Sequence, residues 1–562
     1  MSEKILDLLN DIYDSEQARA TYERLIHMME ESKNRMGAQD ERPLFSERDT
    51  VLITYGDSLK RPGEAPLKTL HDFASKQMTD LIAAIHILPF FPYSSDDGFS
   101  VLDFYAVNPD LGTWEDVERL GRDFELMFDA VFNHMSAQSE WFKQFLAGDP
   151  EFSGMFRVED PNTDLSSVTR PRSSPLLTEF QKTKGETVHV WTTFSADQVD
   201  LDFSTPETLL HMMKVLLFYM EHGARLIRLD AIAYLWKVVG TTSIHLKETH
   251  RVIELMRAVM DFVAPGSIII TETNVPHAEN VSYFGNGYNE AQMVYNFTLP
   301  PLLFHTLLSG NADKLRAWVD TLETPSEQTT FFNFTASHDG IGVRPVEDIL
   351  NAQELQALIA HAESSGGRVS YKRNSDGSES PYELNVTYVN ALTDPNESEA
   401  MQVRRFLVSQ AIAMSLAGVP AVYIHSLLGS RNDLEGVQRT GHNRTINRAK
   451  LDADSITAAL NDPASFRAQI FTQYANLLKT RRAERAFHPN GAQTTFDTGN
   501  LAVFGLLRSY QGERIVAVFN VTGQHQKADL SPVLSGSGTD ILTGQRVESS
   551  LDLDPYQVCW IK

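Results

Sequence analysis

Eight short runs rich in β-branched and aromatic residues recur along the chain with longer helical patterns between them, and this alternation constrains the fold more than any other feature. The runs are VLITYGD from residue 51, AAIHILP from 83, ELMFDAVFNH from 125, ARLIRLD from 224, SIIITET from 267, MVYNF from 293, TTFFNFTASHD from 329 and AVYIHS from 421. Eight strands with intervening helices predict an α/β fold of the (β/α)8 TIM barrel type. Helices are expected over 67–82, 206–222, 246–263 and 402–416, the last with Phe406, Leu407, Ala411 and Ile412 at core spacing.

Two connections are too long to be simple loops. Residues 135–190 carry the proline-broken, basic TRPRSSPLL, and residues 345–400 carry SYKRNSDGSESPYELN. Segments of this length in a compact domain carry function or form small subdomains, so both are read as excursions over the face where the strands end. Residues 1–50 are acidic and amphipathic, with Leu8, Leu9, Ile12 and Tyr13, then Tyr22, Leu25, Ile26 and Met29, at helical spacing. They predict two helices docked on the parent domain. From 484 onward, alternating stretches such as LAVFGLLRSY and RIVAVFNVTG predict a small antiparallel β-domain. The expected division is an N-terminal extension 1–50, a barrel in three parts (51–134, 191–344 and 401–483), insertions 135–190 and 345–400, and a C-terminal domain 484–562.

Composition narrows the partners. The 562 residues include 49 basic and 74 acidic side chains, a net charge of −25 that repels nucleic acid and anionic membranes. An anionic substrate would need a local basic pocket. No run approaches the ~18 apolar residues of a membrane span. The opening MSEKILDLLNDIY lacks the pattern of a secretory signal, so a cytoplasmic location is expected. The single cysteine, Cys559 in VCWIK, excludes an intrachain disulfide and reads as a strand-core residue.

Asp230, Glu272 and Asp339 each sit just past an apolar run. A carboxylate is costly beside an apolar core unless it is hydrogen-bonded or functional, so three at strand ends point to one assembled site. Strand three ends in Asn133 and His134. Strand four places Arg228 on the same face as Asp230, where it can hold that carboxylate ionised. Glu272 follows an isoleucine run that would raise its pKa toward that of a general acid, and Asp339 follows His338. Acids with opposed environments suit glycoside chemistry, whose transition state resembles an oxocarbenium ion. His245 and His250 lie five apart on a predicted helix, which is not the spacing of a metal-ligand pair, and are expected on the surface.

The motifs FDAVFNH, RLIRLDA, ITETN and ASHDG resemble the four ordered strand-end motifs of the α-amylase family (glycoside hydrolase family 13), over roughly residues 50–562. The resemblance implies Asp230 as nucleophile, Glu272 as general acid/base and Asp339 as transition-state stabiliser, with His134, Arg228 and His338 on the glucose ring. It implies a retaining reaction whose two reacting carboxyls lie ~5–5.5 Å apart. Within the family, VLITYGD, HILPFFPYSSDDGFSVLDF, TRPR, SHDGIGV and HNRTINR resemble the sucrose-phosphorylase branch. That implies inorganic phosphate as co-substrate and α-glucose 1-phosphate as product. It also implies that Asp97, Phe99 and Arg444 close around the glucosyl unit, that Tyr234 is an apolar platform beside Phe99, and that Arg172 binds phosphate. Asn133 stands where many amylases bind calcium; the branch implies no metal, and no cofactor is expected.

The leaving group is read from the second insertion. Where sucrose-cleaving members carry an Asp and a Gln, this chain offers Ser380 and Glu383 beside Tyr382. TRPRSSPLL, ITETNVPH, SPYELNVTY and LLGSRND, with the N-terminal extension, resemble glucosylglycerate phosphorylases. Their product D-glycerate needs a cationic partner, for which Arg172, Arg344 and Lys372 with Arg373 are the candidates. Sucrose, sucrose 6-phosphate and glucosylglycerol remain alternative substrates. A hydrolase or transglucosidase, and a non-catalytic sugar-binding relative, are the other classes. The expected partners are a small glucoside and phosphate, and monomer and homodimer both stay open.

Overall fold

The computed structural model describes residues 2–37, 42–172, 174–373 and 378–562; the side chains of Ser2 and Arg373 are outside the described set. All eight runs become strands of one closed barrel: β1 (Val51–Thr54), β2 (Ala84–Ile87), β3 (Glu125–Ala130), β4 (Ala224–Leu229), β5 (Ile268–Thr271), β6 (Met293–Tyr295), β7 (Thr330–Phe334) and β8 (Val419–Tyr423). Each strand pairs in parallel with its neighbour in chain order, and β8 closes onto β1. Apart from Glu125, every residue of these strands is buried. Covering by helices outside and by side chains inside explains why they read as nearly continuous apolar runs rather than alternating ones.

The expected helices form at Pro206–Glu221, Lys247–Val263 and Glu399–Ser415. The first stops short of expectation, at Pro66–Gln77, because Met78 leaves the helical region with φ −130° and ψ −3°. At the N-terminus α1 (Ser2–Ile12) and α2 (Ser15–Met36) form a pair, with the Asp14 carboxylate accepting from the amides of Glu16 and Gln17 to start α2. Leu8, Leu9, Tyr13, Leu25 and Met29 are buried, and the pair packs on α3 (Pro206–Glu221) and α4 (Lys247–Val263). Arg35–Glu221 and Arg251–Asp11 contacts, both 2.8 Å, join its polar edge to those helices.

The insertions differ from the expected boundaries. The first opens with a strand, His134–Ser136, that pairs antiparallel with Gln198–Asp200, so it continues past 190 to the start of α3. A boundary at 190 would cut the hairpin formed by Leu177–Gln181 and Thr187–Trp191. The second begins inside DGIG: Ile341–Gly342 is the edge of a three-stranded sheet with Glu379–Asn385 and Arg368–Arg373. Long-range backbone pairing sets both limits, and local composition carries no trace of it. The C-terminal four-stranded sheet (Ala492–Thr495, Val503–Tyr510, Glu513–Asn520, Val558–Ile561) buries Cys559 and ties to the barrel where Trp560 Nε1 donates to Ser415 Oγ at 3.1 Å. No helix among the described residues is long and apolar enough to cross a membrane.

Candidate active site

The carboxyl ends of the strands open onto one cavity lined by Asp230, Glu272 and Asp339. Of the other residues singled out in the sequence, Phe99, His134, Arg172, Arg228, Tyr234, His338, Tyr382, Glu383 and Arg444 also line it, whereas Asp97, Arg344 and Lys372 do not.

Register places the floor of the site. Asp129 on β3 is the cross-strand partner of Arg228 on β4. The Arg228 guanidinium therefore donates to Asp129 Oδ1 at 2.5 Å and to Asp230 Oδ1 at 2.8 Å, while His86 Nε2 lies 2.7 Å from Asp129 Oδ2. Burial pushes Asp129 up, but His86 and Arg228 outweigh it and leave the carboxyl below its ordinary value. Burial also raises Asp230, with Arg228 and His134 pulling back toward the ionised form. Ala231, directly after Asp230, adopts φ +49°. This strained turn for a residue with a Cβ aims its amide at Glu272 Oε2, 3.1 Å away.

Glu272 and Asp339 are driven apart. Burial raises Glu272 to about 7, against Arg228 and with help from the negative charges of Asp230 and Asp339. Asp339 is also buried, yet Arg444, His338 and Arg448 hold it well below the carboxylate range. Near neutral pH one acid therefore carries a proton while its neighbour stays ionised, the division that acid catalysis beside a stabilising charge requires.

On one side of the cavity Phe99 stacks on His338, with centroids 4.9 Å apart and planes within 6°. His134 Nε2 sits 2.9 Å from the Phe99 carbonyl and 3.1 Å from Gln198 Nε2. The neighbouring acids require a correction. Both Asp96 and Asp97 have positive φ (53° and 48°), and this turn sends them in different directions. Asp96 lines the cavity, and Asp97 points away to Arg448 at 2.6 Å. The cavity-facing acid is thus Asp96, and the rank of two adjacent aspartates could not be read from sequence because the strained turn decides it. Arg444 spans Asp339 Oδ1 (2.7 Å) and Glu383 (3.0 Å). Glu383 also accepts from the Gly340 amide. A Cβ on Gly340 would stand 2.6 Å from the Leu384 carbonyl, so the glycine of SHDG is what lets the second insertion lie this close.

The opposite side is cationic and aromatic. The Arg172 guanidinium lies 5.5 Å from the Tyr382 ring centre and 6.0 Å from that of Phe194, bridging the two insertions. Phe194 in turn meets Tyr234 edge-on at 5.5 Å. Arg344 lies behind this wall, near enough for its charge, with that of Arg172, to oppose the burial that raises the Tyr234 hydroxyl. Lys372 is lowered by burial and then by Arg344. The Arg373 side chain lies outside the described residues. Asn274, two residues beyond Glu272, also lines the cavity, and its buried Oδ1 has no protein partner. Its amide nitrogen is 2.8 Å from where a Cβ on Gly342 would be. Asn274, Gln198, Phe194 and Asp96 escaped the sequence reading; Asn274, inside the ITETN motif, and Asp96, inside HILPFFPYSSDDGFSVLDF, were the two with a signal there.

Asn133 faces away from the cavity, into a buried cluster. Lys237 Nζ donates to Asn133 Oδ1 at 2.9 Å and lies 3.0 Å from Asp200 Oδ2, with the Leu235 carbonyl at 3.3 Å. A divalent cation at these oxygens would meet the ammonium already there, so the residues do not fit a metal. Among the described residues no group of three or more metal-ligating side chains exists. His245 and His250 also differ from expectation. His245 precedes α4 with φ +56°, its Nδ1 2.7 Å from Tyr283 OH, while His250 stacks on the same ring at 4.7 Å and contacts Glu290 at 2.8 Å. Both are partly buried packing residues because the β5 loop folds over them.

Residues 78–343 match the α-amylase catalytic domain. Glucosylglycerate phosphorylase of Escherichia coli (strain K12) is 44% identical over the whole of both chains. That of Allomeiothermus silvanus is 46% identical, covering 100% of this chain and 98% of its own. Among solved structures, sucrose 6F-phosphate phosphorylase from Thermoanaerobacter thermosaccharolyticum superposes with a TM-score of 0.74 at 25% identity, covering 84% of this chain and 94% of its own. The chain belongs to the α-amylase family, glycoside hydrolase family 13, in the branch made up of glycoside phosphorylases.

Proposed function

We propose that the protein is a retaining phosphorylase that moves a glucosyl unit between 2-O-(α-D-glucopyranosyl)-D-glycerate and inorganic phosphate. Asp230 attacks the anomeric carbon as the Glu272 proton passes to the departing glycerate oxygen, giving a β-glucosyl ester on Asp230. Phosphate then attacks the same carbon, Glu272 takes up a proton, and Asp230 leaves, giving α-D-glucose 1-phosphate. Arg228 orients Asp230, and the ionised Asp339 stabilises the positive charge that develops on the sugar.

One observation carries the choice of acceptor. The cations on the glucose side are neutralised: Arg228 by Asp129 and Asp230, Arg444 by Asp339 and Glu383, Arg448 by Asp97. Among the described residues, no carboxylate lies within ion-pair distance of Arg172, Arg344 or Lys372. In a chain of net charge −25, an unpaired Arg172 on the cavity wall, with the charge of Arg344 behind it reaching Tyr234, favours an anion at that end. Phosphate and glycerate, the two acceptors of the glucosyl group, are both anions. The full-length similarity to glucosylglycerate phosphorylases supports the same choice.

The test is to incubate the protein with phosphate and, separately, glucosylglycerate, sucrose, sucrose 6-phosphate and glucosylglycerol, and to quantify α-glucose 1-phosphate. The highest kcat/KM is expected with glucosylglycerate. Preference for another donor rejects the glycerate reading, and free glucose forming at one rate with or without phosphate rejects phosphorolysis.

A further inference from the structure

The N-terminal helical pair makes a contact that reaches toward the acceptor side of the cavity. Tyr13, in the turn between α1 and α2, is buried; its hydroxyl donates to the Phe203 carbonyl at 2.8 Å and its ring lies 6.5 Å from that of Trp236. Trp236 belongs to the loop that leaves β4, two residues beyond the cavity-lining Tyr234 and one before Lys237, whose ammonium clamps Asn133 and Asp200. The Trp236 amide is held by Thr249 Oγ1 of α4 at 3.3 Å, so ring and backbone are fixed from the same side.

That loop continues to the segment carrying Arg172. The Thr241 carbonyl accepts from Ser167 Oγ at 3.0 Å, and the Thr242 carbonyl accepts from the Thr169 amide at 2.9 Å. Strain concentrates in the same stretch, at Ser243 and His245 with φ of 50° and 56°, so external contacts must hold its shape. Two routes therefore run from Tyr13 to Arg172: through Trp236, Tyr234 and the Phe194 ring, and through the loop carbonyls to Ser167 and Thr169.

We infer that Tyr13 is a positioning residue for the acceptor side of the site: the N-terminal helical pair, through this ring, sets the loop over 232–242 and so fixes Tyr234 and Arg172. The floor of the glucose side, where Asp129, Arg228 and His86 stand on barrel strands, lies outside both routes. The inference rests on the phosphorylase reading for its kinetic consequence only.

The experiment uses full-length Tyr13→Ala and Tyr13→Phe. Hydrolysis of α-D-glucosyl fluoride, whose small leaving group needs no cation, reads the glucose side. The KM for phosphate and, in the synthetic direction, for D-glycerate read the acceptor side. For Tyr13→Ala both KM values are expected to rise about three- to tenfold while fluoride hydrolysis stays within about twofold. Tyr13→Phe, which keeps the ring on Trp236, should show a smaller rise. Amide exchange is measured on the same proteins: faster exchange over 165–172 and 231–246 with unchanged barrel strands supports the inference even if the wild type shows no phosphate dependence, an outcome that rejects phosphorolysis separately. Unchanged exchange in those segments, or equal losses on both sides of the site, overturns it. If Tyr13→Ala does not fold, Trp236→Phe is read by the same exchange and KM criteria.

Discussion

Replacing Glu272 by glutamine should stabilise the protein above neutral pH while removing most of its activity. The carboxyl is raised from 4.5 to about 7, first by burial and then by Asp230 and Asp339. At about 1.4 kcal/mol per pH unit the difference corresponds to about 3 kcal/mol. The side chain keeps 15% exposure, so solvent screening brings the expected figure to about 2–3 kcal/mol. The folded state holds this proton more tightly than the unfolded chain. Its stabilising contribution is complete below 4.5, the ordinary value, and is lost as pH rises through about 7. Glutamine keeps the neutral form at every pH. Melting temperatures of wild type and Glu272→Gln should coincide near pH 4.5 and separate by a few degrees at pH 8, with the variant higher. Wild-type cleavage of a glucoside with a poor leaving group should decline over the same interval, because the proton being lost is the one transferred, and the variant should be slower by about 10²–10⁴. A separation that does not change with pH, or a variant less stable at pH 8, would refute the claim that burial and two like charges set this pKa.

Four further variants test the geometry. Asp96→Ala should raise the KM of glucosyl donors about tenfold or more, as for loss of a charged hydrogen bond. Asp97→Ala removes the half-exposed partner of the buried Arg448, which keeps its bond to the His338 carbonyl, and should leave donor KM alone; steady-state kinetics of both variants decide whether the inward acid is assigned correctly. Lys237→Met leaves Asp200 buried without its cation and should cost about 3–5 kcal/mol, read by denaturant unfolding, and added calcium should not restore it. Gly342→Ala forces the Asn274 amide to move, so the acceptor KM should rise with fluoride hydrolysis retained; an unchanged KM would remove Asn274 from the acceptor side.

The barrel was legible because its information is local. Each strand is a compact apolar run, and the reactive acids come directly after β4 and β5 and five residues after β7, so Asp230, Glu272 and Asp339 could be grouped before any contact was known. Arg228 was readable for the same reason, being two residues from Asp230 on one strand face. Its partner Asp129, and the His86 that contacts Asp129 in turn, were not, since they depend on the stagger of β2, β3 and β4. The ends of the insertions were missed because Gln198–Asp200 and Ile341–Gly342 gain their strand character only by pairing with distant segments.

The sequence by itself determined the (β/α)8 class, the docked N-terminal helices, the C-terminal sheet and the three clustered acids, because period, turn chemistry and strand-end position are properties of neighbouring residues. Only the tertiary structure decided that Asp96 and not Asp97 faces the cavity, that Lys237 fills the space beside Asn133, and that Arg172 is held between Phe194 and Tyr382. Those outcomes depend on backbone strain and on side chains brought together from separate insertions. Charge and orientation at such places are set by what folding removes from water and places alongside, and adjacency in the chain carries no record of it.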